Sequence, residues 1–466
     1  MNTAVQEITE RLNMAGFECF MVGGSVRDYL LDRPAKDIDL VSNATPADIK
    51  QIFHLWPVLE IGEAFGIMTV VMGGTPYEIA QFRSDGKSTD NRHPDTVQFF
   101  TAEEMTIQEM LKADASRRDF TINACYMHPL TGELFLPFNA NCDLHDKLIK
   151  FVGKPSSRIN EDNLRILRAF RFMSQLEGFT IEPTSLAAIG DFFDMGRTLL
   201  GVSQERITAE ISKILTGPNA FNTLKLMFEM KIMQHLIPEL NVLDQDHNSH
   251  WHQEVLEPFG NSILAHTLLV FENINKQEID GQDRLVLTLA TIFHDIGKAS
   301  VRERKNDGSD RFTNHDIVGA EITETILTKM KFSNEVIKRV IRLVRNHMRI
   351  KNIVFMKDIA KIRKLINEED FNLLSILAHS DGMATSKNGI CPNLEDVNKI
   401  EIAIENAINL YGQHLPDRII TGDTLINAGY KPNEKFKKAL EIAFDQQLRG
   451  ITSEKNLLGA AISYLN

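Results

Sequence analysis

Two segments near the N-terminus decide the fold of that region: Gly23-Gly24-Ser25-Val26-Arg27-Asp28 and Asp37-Ile38-Asp39-Leu40. The apolar run at residues 17–22 predicts a strand that ends at the glycines, and a helix is expected to follow them. Alternate residues of an extended strand share a face, so Asp37 and Asp39 are expected to project side by side. Ile38 and Leu40 would then point into the core.

This pair of segments suits a metal-bound phosphate ligand. Magnesium prefers oxygen ligands and often binds one or two carboxylates together with substrate phosphates. Gly23 and Gly24 allow close backbone approach, the helix start offers N–H groups, and Ser25 and Arg27 add donors. The sequence therefore predicts a site for Mg²⁺ and a nucleoside triphosphate. The alternative is a glycine turn beside a solvated acidic strand end.

Further strand-like runs at residues 67–72 and 77–82 predict one small mixed sheet flanked by helices. Thr45-Pro46 is placed as a helix cap and first-turn proline. Glu78 could supply a third carboxylate for a two-metal site if its strand lay beside residues 37–41. A strand-edge glutamate exposed to water is the alternative.

Composition excludes several classes of protein. The chain has 466 residues, of which 43% are hydrophobic and 24% charged, which is typical of a globular protein with several domains. No apolar run reaches a membrane-spanning length, and the N-terminus lacks signal-peptide features, so no membrane partner is expected. Four scattered cysteines predict a reducing, cytoplasmic location. The net charge of -12 argues against an indiscriminate polyanion binder, although a local basic face remains compatible with it.

From about residue 150 onward the apolar spacing is helical, and the charged stretch 302–311 is expected to form a surface loop. The predicted fold class is multidomain α+β. We expect four parts: a catalytic head at 1–153, a helical neck and body at 154–245, a helical metal-binding domain at 246–385 and a helical tail at 386–466.

A helix predicted over residues 161–172 carries a possible base-reading pair. Asp162 and Arg165 are separated by three residues and would be neighbours on its surface. Cytosine and adenine both present an amino donor beside a ring-nitrogen acceptor, which a carboxylate and a guanidinium can match. Guanine and uracil would leave polar groups unpaired, at about 1–3 kcal/mol each. The alternative is an ordinary surface ion pair. An excess of basic residues that includes Arg168 suits a phosphate-rich ligand or an RNA end.

The helical region also contains six residues of the types that bind metals, drawn from separate segments. Their neighbours in the sequence indicate burial. Imidazole and carboxylate ligands suit divalent transition metals, whose bound water can attack phosphate esters. The six residues are His266, His294, Asp295, His315, His347 and Asp381.

The N-terminal motifs resemble those of class II tRNA nucleotidyltransferases and bacterial poly(A) polymerases, which have a polymerase-β-like head. The glycine turn and Asp-Ile-Asp-Leu match the first motif, residues 117–124 match the second, and residues 161–172 match the nucleobase-reading helix. The third motif is matched at Asp143-Leu144, although Asn139-Ala140-Asn141-Cys142 replaces its usual glycines. Residues 203–207 resemble the neck motif. The resemblance implies nucleotide-binding roles for Arg117, Arg118, Asp119, Asn123 and Arg168.

The histidine pattern resembles that of the HD phosphohydrolase superfamily, with His294-Asp295 as the central motif. This resemblance implies one metal held by His266, His294, Asp295 and Asp381. His315 and His347 could complete a second site, and Lys298 would face phosphate. It also implies phosphatase or 2′,3′-cyclic phosphodiesterase activity.

Together these features predict a template-independent enzyme that adds CMP and AMP residues to the 3′ end of tRNA, with CTP, ATP and tRNA as partners. Poly(A) polymerase is the nearest alternative, followed by an enzyme that adds only CC or only A. An HD phosphohydrolase whose N-terminal half merely binds nucleotide or RNA, and a non-catalytic RNA-binding protein, are the alternatives from other classes.

Overall fold

The computed structural model of the chain describes residues 3–35, 37–60, 66–86, 96–100, 105–199, 201–245, 256–279, 281–385 and 394–466. These residues form two compact units, Met1–His235 and Leu236–Asn466. The expected fold class is confirmed: a mixed sheet with helices comes first, and the chain beyond it is mostly helical. The division into four parts stays a prediction.

The first unit contains the strands on which the predicted nucleotide site depends. They are β1 (Cys19–Val22), β2 (Asp39–Ser42), β3 (Val58–Leu59), β4 (Ile67–Met72), β5 (Thr75–Gln81), β6 (Arg83–Asp85), β7 (Val97–Phe99), β8 (Tyr126–Met127), β9 (Leu134–Phe135), β10 (Leu148–Ile149) and β11 (Thr180–Ile181).

The helices of this unit alternate with the strands along the chain, and the last four follow the final strand. They are α1 (Thr3–Met14), α2 (Gly24–Leu30), α3 (Pro46–Ile52), α4 (Ile107–Ser116), α5 (Ala140–His145), α6 (Pro155–Glu161), α7 (Leu164–Gln175), α8 (Pro183–Asp194), α9 (Gln204–Leu215), α10 (Ala220–Glu229) and α11 (Ile232–Leu236), the last of which ends at the boundary between the units.

Within the described ranges, the main sheet has seven strands in the order β3-β4-β5-β2-β1-β8-β9. The pair β2–β5 is parallel and the other neighbours are antiparallel, so the sheet is mixed. One core cluster includes Phe20, Val41, Phe82 and Tyr126, which come from strands or strand ends far apart in the sequence. Their burial fixes the strand register, because a slip by one residue would turn these side chains toward solvent.

Residues at the N-terminal ends of two helices, α3 and α5, determine where these helices begin. Thr45 caps α3 with a capping box, its hydroxyl accepting from the Asp48 amide, and Pro46 occupies the first turn as predicted. Asn139, which stands where a glycine is usual, adopts a left-handed conformation with φ 59°, and its neighbour Phe138 has φ 60°. Asparagine tolerates this conformation better than most side chains, so the turn before Asp143 forms without glycine.

The second unit is a set of packed helices. They are α12 (Ile263–Asn275), α13 (Gly281–Phe293), α14 (His315–Lys329), α15 (Asn334–Lys351), α16 (Ile359–Ile366), α17 (Phe371–Met383), α18 (Leu394–Tyr411), α19 (Gly422–Asn427), α20 (Lys435–Leu448) and α21 (Glu454–Leu465). Two short strands, β12 (Arg302–Arg304) and β13 (Asp310–Phe312), pair antiparallel where a loop was expected. The buried carboxylate of Asp310 binds Arg302 and Arg304, which explains why this charged stretch forms a hairpin.

None of the described helices is both long and apolar enough to cross a membrane.

Candidate nucleotidyl-transfer and metal sites

The glycine turn connects β1 to α2 in a conformation that requires glycine. Gly23 has φ 74° and ψ −128°, a combination that residues with a side chain rarely adopt. A Cβ at Gly23 would also lie 3.2 Å from Arg118 Nη1. The Ser25 hydroxyl is buried and donates to the Val22 carbonyl at 3.1 Å. The turn therefore brings the end of β1 close to an arginine of the second motif.

Three carboxylates gather beside this turn. Asp39 opens β2 and pairs in register with Val22 on one side and with Glu78 of β5 on the other. Desolvation raises the pKa of Asp39, the nearby carboxylates of Glu78 and Asp37 raise it further, and Arg118 opposes them. Like charges held this close favour a bound cation.

One detail of the prediction is wrong. The strand expected over residues 37–41 begins only at Asp39, so Asp37 lies in the preceding loop and is exposed. The two aspartates are therefore not alternate residues of one strand. Their electrostatic interaction shows that they are nevertheless near each other.

A chain of hydrogen bonds joins α2 to α7 through the second motif. Arg27 Nη1 donates to Asn123 Oδ1 at 2.7 Å, and Asn123 Nδ2 donates to Asp119 Oδ1 at 3.0 Å. Asp119 Oδ2 accepts from Arg168 Nε at 2.8 Å and Nη2 at 2.5 Å. Although burial alone would raise the pKa of Asp119, Arg168 and Asn123 lower it to about 2. Four of the predicted nucleotide-binding residues are thus one connected network.

Arg117 and Arg118 both bind the buried carboxylate of Asp114, a residue that the sequence did not single out. Both guanidiniums donate to Asp114, which lies one helical turn before them on α4, and Arg118 also donates to the Tyr126 hydroxyl. The spacing of three and four residues between an acid and two bases was a usable signal for such a contact. Tyr126, by contrast, is positioned beside these residues by the pairing of β8 with β1, so no pattern of nearby residues in the sequence could have predicted its contact.

The helix expected over residues 161–172 is interrupted. Helix α6 ends at Glu161, Asp162 is extended with φ −151°, and α7 starts at Leu164. Asp162 Oδ1 accepts the Leu164 amide at 3.1 Å, and this side-chain bond competes with helix continuation. Asp162 and Arg165 are therefore not neighbours on one continuous helix.

Their side chains also have separate partners. Asp162 Oδ2 accepts from Arg206 Nη2 at 3.0 Å. Arg165 Nη1 donates to Glu161 Oε2 at 2.8 Å, and its Nη2 donates to the Arg117 carbonyl at 3.2 Å. The ordinary ion pair between Asp162 and Arg165, which was the alternative interpretation, is not formed. The sequence did not predict that Arg206 would bind Asp162.

The second unit brings all six predicted metal-binding side chains together in its interior. They form two groups whose ligand atoms lie within 4.8 Å of one another, and every member is buried. Helices α12, α13, α14, α15 and α17 supply them or lead directly into them. The groups are His266 with His294 and Asp381, and Asp295 with His315 and His347.

The histidine rings are oriented as in metal centres. The Nδ1 atoms of His294, His315 and His347 lie 2.8, 2.8 and 2.6 Å from the carbonyls of Thr291, Phe312 and Val344. A carbonyl can only accept, so each Nδ1 carries a proton and each Nε2 presents a lone pair to the cluster. The Nε2 atoms of His315 and His347 face each other at 3.2 Å. Two facing lone pairs repel unless a cation lies between them, so the donor set fits divalent metal.

Two lysines balance the carboxylates of this centre. Lys298 Nζ lies 2.5 Å from Asp295 Oδ2, and Lys351 forms an ion pair with Asp381. Burial would raise the pKa of both aspartates, but the neighbouring histidines and lysines hold it well below its usual range. Burial and the other imidazoles lower the pKa of His347, which favours the neutral, metal-binding ring.

These observations define a class: a nucleotidyltransferase-type head, a helical body and an HD-type cluster of histidines and aspartates that could hold metal. Family models agree in the same order, with the poly A polymerase head domain at residues 19–150, the probable RNA and SrmB-binding site of polymerase A at 178–243, and the HD domain at 263–390. The chain is 35% identical over 289 residues to a CCA-adding enzyme of Lactobacillus johnsonii, covering 59% of this chain and 69% of that protein. It belongs to the family of CCA-adding enzymes.

Another relative matches over a shorter stretch of sequence, and solved structures match the fold over nearly the whole chain. The chain is 40% identical over 228 residues to the CCA-adding enzyme of Enterococcus faecalis. The matched region makes up 49% of this chain and 52%, or about half, of that relative. The fold resembles the Bacillus stearothermophilus CCA-adding enzyme in complex with CTP, with a TM-score of 0.65, 21% identity and coverage of 99% and 98% of the two chains. It also resembles the Thermotoga maritima enzyme complexed with tRNA, with a TM-score of 0.60, 18% identity and coverage of 100% and 95%.

Proposed function

We propose that this chain adds CMP and AMP residues to the 3′ end of tRNA without a template. The observation that carries the proposal is the placement of Asp39 between the glycine turn and Glu78. Family membership supports the reaction, and the structures of CCA-adding enzymes in complex with CTP, ATP and tRNA indicate the expected partners. Cytoplasmic location stays a prediction.

Asp37 and Asp39 would hold Mg²⁺, with Glu78 as a further ligand. When bound, the metal would lower the effective pKa of the RNA 3′-hydroxyl and neutralise charge on the departing pyrophosphate. Arg118 lies beside Gly23 and lowers the pKa of Asp39, so it would offset triphosphate charge there. The glycine turn, Ser25 and Arg27 would hold the triphosphate.

Asp162 and Arg165 would select cytosine and adenine. Both are mostly buried, and their present partners, Arg206 and Glu161, compete with an incoming base. Selection therefore requires at least one of these ion pairs to open. The buried network from Arg27 through Asn123 to Arg168 would connect triphosphate binding to the helix that follows Asp162.

The test is a labelled-nucleotide extension assay on tRNA lacking its 3′ CCA. With CTP alone we expect a two-residue extension, and with CTP and ATP a three-residue one. A long tail from ATP alone would identify a poly(A) polymerase, and addition of only CC or only A would identify a partial activity. Asp39→Asn should abolish extension while tRNA binding persists. Incorporation retained in that variant would reject the metal role.

We propose a second activity, metal-dependent phosphohydrolysis, at the HD centre. The observation favouring it is the convergence of histidine Nε2 atoms on buried carboxylates. Lys298, which pairs with Asp295, would face phosphate. His266, His294, Asp381 and Asp295 Oδ2 would hold one divalent metal, and His315 with His347 would complete a second site beside Asp295 Oδ1. A bound metal would supply hydroxide for attack on phosphorus.

This second activity needs two measurements. Metal content of the purified protein should fall in His294→Ala, and release of phosphate from a 2′,3′-cyclic or terminal phosphate should fall with it. His379→Ala is a matched control, since that histidine is partly exposed, lies outside the two groups of candidate ligands and pairs with Glu401 at 2.7 Å on the neighbouring helix. Equal metal content in His294→Ala and the unaltered protein would contradict the assignment.

A further inference from the structure

A fully buried carboxylate in the first unit joins two arginines and a tyrosine. Asp114 Oδ1 accepts from Arg117 Nε and Nη2 at 2.8 and 2.6 Å. Its Oδ2 accepts from Arg118 Nε and Nη2 at 3.2 and 3.0 Å, and from the Tyr126 hydroxyl at 2.7 Å. The Asp114 side chain is 0% exposed, whereas both arginine side chains are 19% exposed. The carboxylate is therefore covered while the arginines it binds still reach the surface.

The four side chains carry an excess of positive charge. Burial alone would raise the pKa of Asp114, but Arg118, Arg117 and the Tyr126 hydroxyl lower it below its usual value. Burial raises the pKa of Tyr126, which keeps its hydroxyl protonated. One carboxylate then faces two guanidiniums. Such a group attracts an anion more strongly than a balanced ion pair would.

The geometry aims Arg118 at the glycine turn. Asp114 occupies the Nε and Nη2 edge of this guanidinium, and its Nη1 points the other way, 3.5 Å from the Asn123 carbonyl. The same Nη1 lies 3.2 Å from the position that a Cβ of Gly23 would take. Arg118 also lowers the pKa of Asp39, so it acts on the carboxylate site as well.

We propose that Asp114 is a positioning residue that holds Arg118 in the orientation in which it binds the triphosphate and the departing pyrophosphate, while its other carboxylate oxygen holds Arg117. The proposal rests on the nucleotidyl transfer proposed above. Arginine side chains are flexible, and fixing them before the ligand arrives lowers the entropy lost on binding. Asp114 itself is too deeply buried to touch the ligand.

The decisive variant is Asp114→Asn. It keeps the size of the side chain but turns an amide donor toward guanidinium donors, so one arginine must leave its position. Binding of CTP, inorganic pyrophosphate and CMP is measured by calorimetry. We expect CTP and pyrophosphate affinity to fall about tenfold, as for the loss of a charge-assisted contact, and CMP affinity to change less than about twofold.

The KM for CTP should rise more than kcat falls. The matched control is Asp191→Asn, which removes an exposed carboxylate on α8 of the same unit and should change none of these values. Unchanged pyrophosphate affinity in Asp114→Asn would overturn the proposal, and so would equal weakening of CTP, pyrophosphate and CMP, because that pattern indicates general damage to the site.

Tyr126→Phe keeps the test decisive if Asp114→Asn does not fold. It removes one hydroxyl that contacts both Asp114 and Arg118 and leaves the buried ring in place. A loss of about threefold in pyrophosphate affinity is expected, with CMP binding retained; no change in pyrophosphate binding would contradict the positioning role. These binding assays need no transfer reaction. Failure of the unaltered protein to extend tRNA would therefore reject the proposed function separately.

Discussion

Replacing Asp119 by asparagine should destabilise the first unit by an amount that can be worked out from its surroundings. The carboxylate accepts hydrogen bonds from Arg168, Asn123 and the Phe120 amide, and these lower its pKa from the ordinary 3.8 to about 2. One pKa unit corresponds to about 1.4 kcal/mol, so the ionised form contributes about 2 kcal/mol to the free energy of unfolding at pH 7.

The sign of the pH dependence follows from the direction of this change. The pKa is lower in the folded state, so the stabilisation is complete above the unfolded value of 3.8 and disappears as the pH falls toward about 2. The difference between Asp119→Asn and the unaltered protein should therefore be about 2 kcal/mol at pH 7 and roughly half of that at pH 3.

Urea unfolding followed by tryptophan fluorescence measures this difference. The chain has two tryptophans, Trp56 and Trp251. In a Trp251→Phe background the signal comes from Trp56, which packs against Phe53 and Arg11 in the first unit. Asp191→Asn, an exposed control, should change stability by less than about 0.5 kcal/mol. A difference for Asp119→Asn that is the same at pH 7 and pH 3 would refute the reasoning.

Three further predictions concern single positions. Gly23→Ala should destabilise the first unit by about 1–3 kcal/mol and lower nucleotide transfer, because the backbone conformation suits only glycine and Arg118 crowds the new methyl group. Gly16→Ala is the control, because at φ 86° with nothing within 4 Å it introduces backbone strain without crowding. Equal losses of transfer in both variants would argue against an effect of crowding by Arg118. Thr45→Ala should cost about 1 kcal/mol by removing the capping box of α3, measured by the same urea titration, with no loss of transfer expected. Chelation of divalent metal should lower the unfolding temperature of the unaltered protein more than that of His347→Ala, and calorimetry showing equal changes would contradict metal binding at that histidine.

Interactions between residues close in the chain made part of this protein predictable from its sequence. Thr45-Pro46 set the start of a helix because a cap needs only the next three residues. The histidines and aspartates of the HD centre were recognised by residue type. Apolar residues at helical spacing around His347 correctly indicated that its ring is buried.

The errors came from residues whose conformation depends on side-chain bonding. The apolar spacing predicted one continuous helix through Asp162, but the helix is interrupted there. One carboxylate oxygen of Asp162 accepts from the Leu164 amide and the other accepts from Arg206. Periodicity reports which residues face the core, and it does not register a polar side chain that replaces a backbone hydrogen bond. The hairpin of Arg302–Arg304 and Asp310–Phe312 was not predicted for a similar reason, since the pairing of the buried Asp310 carboxylate with Arg302 and Arg304 leaves no periodic signal in the sequence.

The amino-acid sequence by itself determined the glycine turn, the acidic residues that follow it, the mixed-then-helical fold class and the identity of the histidines and aspartates that cluster in the second unit. Only the tertiary structure decided that Glu78 lies beside Asp39, and that Asp114 and Tyr126 hold Arg118 against the turn. The physical reason is that strand register and buried ion pairs depend on contacts between residues far apart in the chain, and the free energy of those contacts exists only when the core around them has formed.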